Sequence, residues 1–132
     1  MEREIMTKEE YIKESEDRLS SQVKDILDSI DVVERLVQKG YDDAGLLGSD
    51  GKLQRLKNII EKEDFYNYDI YDISFDLEDI SRDYENHREF EIADYLGNVY
   101  TLARAIPDSK KRLDNIDEEY EKYVQRMKRI NG

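Results

Sequence analysis

The sequence lacks residues on which several common functions depend: it has no cysteine, no tryptophan, one proline (Pro107) and one histidine (His87). Without cysteine, disulfides, thiolate nucleophiles and thiolate zinc sites are excluded. No apolar run approaches the roughly 18 residues that a membrane helix needs, so we expect no membrane partner. The first residues, Met1 to Glu4, contain no apolar stretch typical of a secretory signal. We therefore expect a cytoplasmic protein.

The chain is also poor in residues that favour β-strands, with six valines and two threonines. Leucine, isoleucine, valine and phenylalanine still make up 25% of the 132 residues, which is enough for a modest core despite a mean hydropathy of −0.91. Apolar residues recur at helical spacing in nearly every segment. We expect a single domain over residues 1–132. Its predicted fold is an all-α antiparallel helical bundle with one long N-terminal helix and about four shorter helices.

The long first helix is predicted over residues 8–39. Thr7 followed by Glu10 has the spacing of a capping box, and Gly40 suits a C-terminal stop. Its apolar residues step by +4, +3, +4, +3 and +4, which is a heptad seam: Leu19, Val23, Ile26, Ile30, Val33 and Val37. A glycine-rich loop is predicted over residues 40–51.

Two interpretations compete for the next long segment. A helix over residues 65–85 has a second heptad seam, formed by Tyr66, Ile70, Ile73, Leu77, Ile80 and Tyr84. A strand is indicated by the strict alternation of Tyr71, Ile73, Phe75 and Leu77 with Asp72, Ser74 and Asp76. We favour the helix because the heptad pattern explains twice the length and aspartate is poor in strands.

Three further helices complete the predicted bundle. A second helix is expected over residues 51–64. Asn86 is predicted to cap a fourth helix that Pro107 ends at Ile106. A fifth helix is predicted over residues 108–130, with its acids early and its bases late, as the helix dipole favours.

Negative charge is concentrated in residues 61–94. This acidic segment holds thirteen acids and three bases, a net −10 of the total −12. On the predicted third helix five aspartates step by +3, +4, +3 and +4, and we call them the acidic stripe: Asp69, Asp72, Asp76, Asp79 and Asp83. Neighbouring members on such a helix are about 5–6 Å apart, and their repulsion costs on the order of 1–2 kcal/mol. Only Arg82 and His87 lie within a turn to offset it.

The acidic stripe resembles a row of phosphates. Each DNA strand carries a phosphate per about 3.4 Å of axis, which puts neighbouring phosphates on the order of 7 Å apart. Tyrosines that suit an interface, including Tyr68 and Tyr71, lie in the same segment. We therefore predict a non-enzymatic protein-binding module, an acidic nucleic-acid mimic that occupies the basic groove of a DNA- or RNA-binding protein or nuclease. We expect such a module to act as a phage-type inhibitor, for example of a restriction or CRISPR enzyme. Direct nucleic-acid binding is not expected.

A second hypothesis is a structural or adaptor bundle. Its heptad seams would mediate self-association, as in a homodimer, or bind a partner helix. This hypothesis predicts that apolar positions control binding and that added salt has little effect.

Arg82 and His87 support a third hypothesis. They form an Arg-x4-His pattern with the polar Asp83 directly after the arginine. The pattern resembles the motif of HEPN domains, small all-α bundles that often act as ribonucleases in toxin–antitoxin and defence systems. The resemblance covers six residues and the fold class. It implies that the arginine and histidine of paired subunits would act on a phosphate.

Nevertheless, we predict no catalytic residue, cofactor or metal site. A ribonuclease site must attract phosphate, whereas acids surround the Arg-x4-His pair: Asp79, Asp83, Glu85 and Glu89. A di-metal bundle needs a Glu-x-x-His motif, but Tyr84 stands three residues before His87.

Overall fold

The computed structural model describes residues 4–38 and 45–132 of the chain. These residues form five α-helices: α1 (Lys8–Gln38), α2 (Lys52–Glu61), α3 (Asp69–Asn86), α4 (Phe90–Asp114) and α5 (Ile116–Asn131). The predicted all-α bundle with a long first helix is confirmed, and the strand interpretation of residues 71–77 is wrong. The predicted stop at Gly40 lies outside the described residues. In the described part of the chain, no helix combines the length and the apolar character needed to cross a bilayer.

Helix α4 is the central element of the bundle, and its most extensive contacts are with α1 and α3. Helices α3 and α4 run antiparallel. Near the end of α3, the hydroxyl of Ser81 donates to the carbonyl oxygen of Ala93, early in α4, at 2.9 Å. Just before α3, the hydroxyl of Tyr66 donates to Asp114, the last residue of α4, at 2.5 Å. Two contacts, one at each end, therefore fix α3 along its length.

The core is built from the two predicted heptad seams together with α4. In α1 the seam is buried at Leu19, Ile26, Ile30, Val33 and Val37. In α3 it is buried at Ile70, Ile73, Leu77 and Ile80. Helix α4 contributes Ile92, Leu96, Val99, Ala103 and Ile106. Since each seam packs against the rest of the same chain, burial of apolar side chains stabilises the bundle without a partner.

The first helix begins where the sequence predicts. The backbone N–H of Glu10 donates to the Thr7 hydroxyl at 3.2 Å, and the N–H of Thr7 donates to the Glu10 carboxylate at 3.2 Å. These reciprocal bonds form the predicted capping box, which satisfies two backbone donors at the start of the helix.

The predicted boundaries of the fourth helix are wrong at both ends. Asn86 is the last residue of α3, and α4 begins at Phe90 without a side-chain cap. At the other end the helix continues through Pro107 to Asp114. Proline lacks the N–H that would bond the carbonyl of Ala103, which weakens the helix locally. The ring of Pro107 is buried together with Ile106, so tertiary packing overrides the local preference.

The last helix is the least buried part of the bundle. It begins at Ile116 instead of residue 108, and none of its side chains is fully buried. Tyrosines hold it to the start of the chain, because the Tyr120 hydroxyl donates to the carbonyl of Met6 at 2.7 Å and the Met6 N–H donates to the Tyr123 hydroxyl at 2.9 Å. The ring of Tyr11 also stacks on that of Tyr123, with centroids 5.0 Å apart.

Candidate functional site

The acidic stripe lies on helix α3, and side chains contact the backbone at both ends of this helix. At its start, the side-chain oxygen of Asn67 accepts the backbone N–H of Asp69 at 2.9 Å. At its end, the Nδ1 of His87 lies 2.7 Å from the carbonyl oxygen of Asp83. Arg88 then adopts a positive φ of 62°, which ends the helix before α4 begins.

All five aspartates of the acidic stripe are exposed to solvent. Two of them have a cation within 4.0 Å: Arg55 of α2 lies 4.0 Å from Asp69, and Arg82 lies 3.9 Å from Asp79. Within the described residues, no ion pair reaches the other three members: Asp72, Asp76 and Asp83. Three of the five carboxylates in the stripe are therefore solvated and not neutralised by the described part of the bundle.

The two tyrosines predicted to share this surface lie beside the stripe and not on it. Tyr68 is 74% exposed, Tyr71 is half-buried, and their rings are 6.1 Å apart at an angle of 57°. Phe75, which is 57% exposed, follows one turn later. At about 3.6 residues per turn, these three side chains lie roughly 100° around α3 from the stripe, and we call them the aromatic row. The exposed side of α3 thus has an acidic flank and an aromatic flank.

Sequence reasoning missed Phe75 and its neighbour Arg104. The guanidinium of Arg104, in α4, lies 4.6 Å from the centroid of Phe75 and 5.0 Å from that of Tyr100. It also donates to the Ser74 hydroxyl at 3.2 Å and to the carboxylate of Glu78. The hydrogen bond from Arg104 lowers the pKa of Glu78. The position of Phe75 outside the α3 seam could have revealed its exposure, whereas the contact with Arg104 depends on the tertiary fold.

Arg82 and His87 both lie at the C-terminal end of α3. The guanidinium of Arg82 lies 3.0 Å from Glu78 and 3.9 Å from Asp79, so two carboxylates already contact it. His87 is exposed at the end of α3, where its ring contacts the backbone of Asp83 and not the Asp83 carboxylate. Among residues 4–38 and 45–132, no group of three or more acidic or histidine side chains is arranged to hold a metal ion.

Tyr66 and Asp114 link the start of α3 to the end of α4 through one side-chain hydrogen bond. This bond raises the pKa of Tyr66 from 10.0 to about 12. Together with a hydrogen bond from Lys110, it lowers the pKa of Asp114. A raised folded-state pKa means that the contribution of Tyr66 is complete below pH 10 and is lost as the pH rises towards about 12.

Replacing Tyr66 by phenylalanine should therefore remove a pH-dependent contribution to stability. We expect the urea midpoint of the Tyr66→Phe variant to lie below that of the wild type at neutral pH, and the difference to shrink as the pH rises from 10. Tyr68→Phe is the matched control, because the Tyr68 hydroxyl makes no hydrogen bond within the described residues. A Tyr66→Phe difference that stays constant across this range would show that the bond does not form.

No family model, curated protein or solved structure matches this chain significantly. What the surface can do therefore follows from its own geometry. The exposed side of α3 combines solvated carboxylates at regular spacing with exposed aromatic rings, and both are held on a helix whose opposite face is buried. This arrangement suits the binding of a cationic macromolecular surface.

Proposed function

We propose that this protein binds the basic surface of a nucleic-acid-binding protein through the acidic stripe and acts as a mimic of a phosphate row. One observation carries the proposal: Asp72, Asp76 and Asp83 are exposed on a single helix, with no cation paired to them in the described part of the chain. A surface that served only solubility would gain stability from alternating charges, because i,i+4 pairs of opposite sign are favourable and like-charged pairs are not.

The spacing of the carboxylates supports this proposal. Neighbouring side chains three or four residues apart on a helix are about 5–6 Å apart, close to the roughly 7 Å between adjacent phosphates on a DNA strand. A basic groove shaped for phosphates attracts such a row at long range and pairs with it on contact. Because α3 is anchored by its buried seam, little conformational entropy is lost when the row docks.

The aromatic row supplies the apolar component that a charged surface lacks. Tyr68 and Phe75 present large, exposed rings at the border of the stripe. Aromatic side chains are enriched among the residues that contribute most to protein–protein binding, and they lose little side-chain entropy on contact. The carboxylates then provide steering and orientation, and the rings provide the buried apolar area.

A protein bound in this way occupies the site that its partner uses for DNA or RNA. The expected consequence is inhibition of the partner, which can be a nuclease, a restriction or CRISPR-type enzyme, or a transcription factor. Binding to the protein and binding of nucleic acid to the same partner are then mutually exclusive.

The test is capture of partners from a lysate of the source organism on immobilised protein. We expect retained proteins to be released by added salt and by duplex DNA, since both compete for the same cations. The Asp72/Asp76/Asp79→Asn variant should lose this retention while it keeps the helical circular-dichroism spectrum of the wild type.

A charge-matched control distinguishes the effect of the acidic stripe from the effect of total negative charge. The Asp17/Asp108→Asn, Glu121→Gln variant also removes three negative charges, at exposed positions outside the acidic segment, and should retain the partner. Equal retention by both triple variants would contradict the proposal. Retention that resists high salt would instead favour the adaptor hypothesis, in which apolar contacts dominate.

A further inference from the structure

A basic cleft is lined by residues of α1, α4 and α5 and includes no residue of the acidic stripe. Helix α1, the end of α4 and helix α5 enclose a volume of about 610 Å³. Five cations line this basic cleft: Arg18, Arg112, Lys122, Arg126 and Arg129. Only two carboxylates accompany them, Glu14 and Glu119. In a chain with a net charge of −12, this local excess of positive charge needs a cause.

Internal ion pairs account for only part of that excess. Arg18 pairs with Glu14 at 3.5 Å, and Lys122 lies 3.4 Å from Glu118. The described residues supply no carboxylate within 4 Å of Arg112, Arg126 or Arg129. The helix dipole favours the cations in the last turns of α4 and α5, Arg112 and Arg129. It does not explain why Arg18 of α1 and Arg126 line the same cleft.

The cations of α5 have the same spacing as the aspartates of α3. Lys122, Arg126 and Arg129 step by +4 and +3, as do Asp72, Asp76 and Asp79. At about 1.5 Å per residue, each row covers about 10 Å of helix axis, so the two rows can pair side by side in register. Arginine suits this role because its planar fork bonds a carboxylate at two points.

We propose that the basic cleft is the docking site for the acidic stripe of a second copy of this chain. The two surfaces share no residue, so after one such contact the copy that donates its stripe keeps a free cleft and its partner keeps a free stripe. Such a contact is heterologous, and its repetition from copy to copy produces rings or open chains. The contact also covers the stripe, so self-association and binding of the basic partner compete for the same aspartates.

Two variants of the full chain test this proposal without any partner protein. The stripe variant, Asp72/Asp76/Asp79→Asn, keeps the cleft, and the cleft variant, Arg112/Arg126/Arg129→Gln, keeps the stripe. By sedimentation velocity at low salt, we expect the wild type to form species larger than the 15.7 kDa monomer. Each variant alone should be monomeric. Their mixture should form a 1:1 complex of twice the monomer mass and nothing larger, because only one stripe and one cleft remain to pair.

Lys13/Lys111/Lys128→Gln is the matched control, since it removes three exposed cations that do not line the cleft, and it should assemble like the wild type. Salt raised from about 0.01 M to about 1 M shortens the Debye length from about 30 to about 3 Å and should dissolve the assemblies. A monomeric wild type, or a mixture in which the variants stay apart, would overturn the proposal. The proposal would also be overturned if the stripe variant still formed assemblies and inorganic phosphate dispersed them. The cleft would then bind an anionic group other than the acidic stripe. Failure of this proposal would leave the proposed function standing, because capture of a basic partner from a lysate is measured separately.

Discussion

Replacing Leu77 by alanine is expected to destabilise the protein by about 2–5 kcal/mol, a large share of the stability of a small domain. Leu77 is fully buried at the middle of the α3 seam, and α3 packs mainly on α4. Truncation removes apolar contacts and leaves a cavity that the neighbouring helices fill only in part. Urea unfolding followed by circular dichroism measures the loss directly.

Asp83→Ala on the same helix is the control for this substitution. Asp83 is exposed and makes no ion pair within the described residues, so its replacement should change stability by less than about 0.5 kcal/mol. If Leu77→Ala changed stability as little as Asp83→Ala, the buried face of α3 would be assigned incorrectly. The stripe would then have no fixed orientation.

Replacing Asp76 by proline should destabilise the protein by about 3 kcal/mol or more, although Asp76 itself is exposed. Asp76 lies in the interior of α3, where proline removes one backbone hydrogen bond and its ring clashes with the preceding turn. Both halves of the stripe then lose their common axis. Partner binding should fall much further than the loss of one carboxylate can explain.

Asp76→Ala is the control that distinguishes the loss of helix geometry in Asp76→Pro from the loss of one negative charge. It removes the same carboxylate, but alanine is the most favourable residue in a helix, so stability should be unchanged or slightly higher. We expect retention of the partner to weaken modestly with alanine and to disappear with proline. Equal retention by the two variants would mean that recognition depends on the amount of charge and not on its arrangement along a rod.

The parts of the fold that the sequence predicts correctly are those governed by periodicity and local capping. The seams of α1 and α3 are visible as heptads because one face is buried from Leu19 to Val37 in α1 and from Ile70 to Ile80 in α3. The start of α1 is visible because Thr7 and Glu10 satisfy backbone donors within a single turn. Such signals need no knowledge of the neighbouring helices.

Errors arise where tertiary contacts decide the outcome. Pro107 predicts a helix end, but α4 continues through its buried ring to Asp114. The start of α5 shifts to Ile116 as a consequence. By contrast, the spacing of the five aspartates correctly predicts that they lie on one exposed side of α3. The contacts of Arg55 with Asp69 and of Arg104 with Phe75 join separate helices, and no local pattern reveals them.

The distance between the two ends of the acidic stripe tests most directly whether its carboxylates lie on one rigid helix. Because the chain has no cysteine, Asp69→Cys and Asp83→Cys introduce the only two sites for nitroxide labels. Fourteen residues of continuous helix separate them by about 21 Å along the axis. Double electron–electron resonance should give one narrow distribution near that distance. A broad distribution, or a distance typical of extended or folded-back strands, would contradict a rigid row of carboxylates on α3.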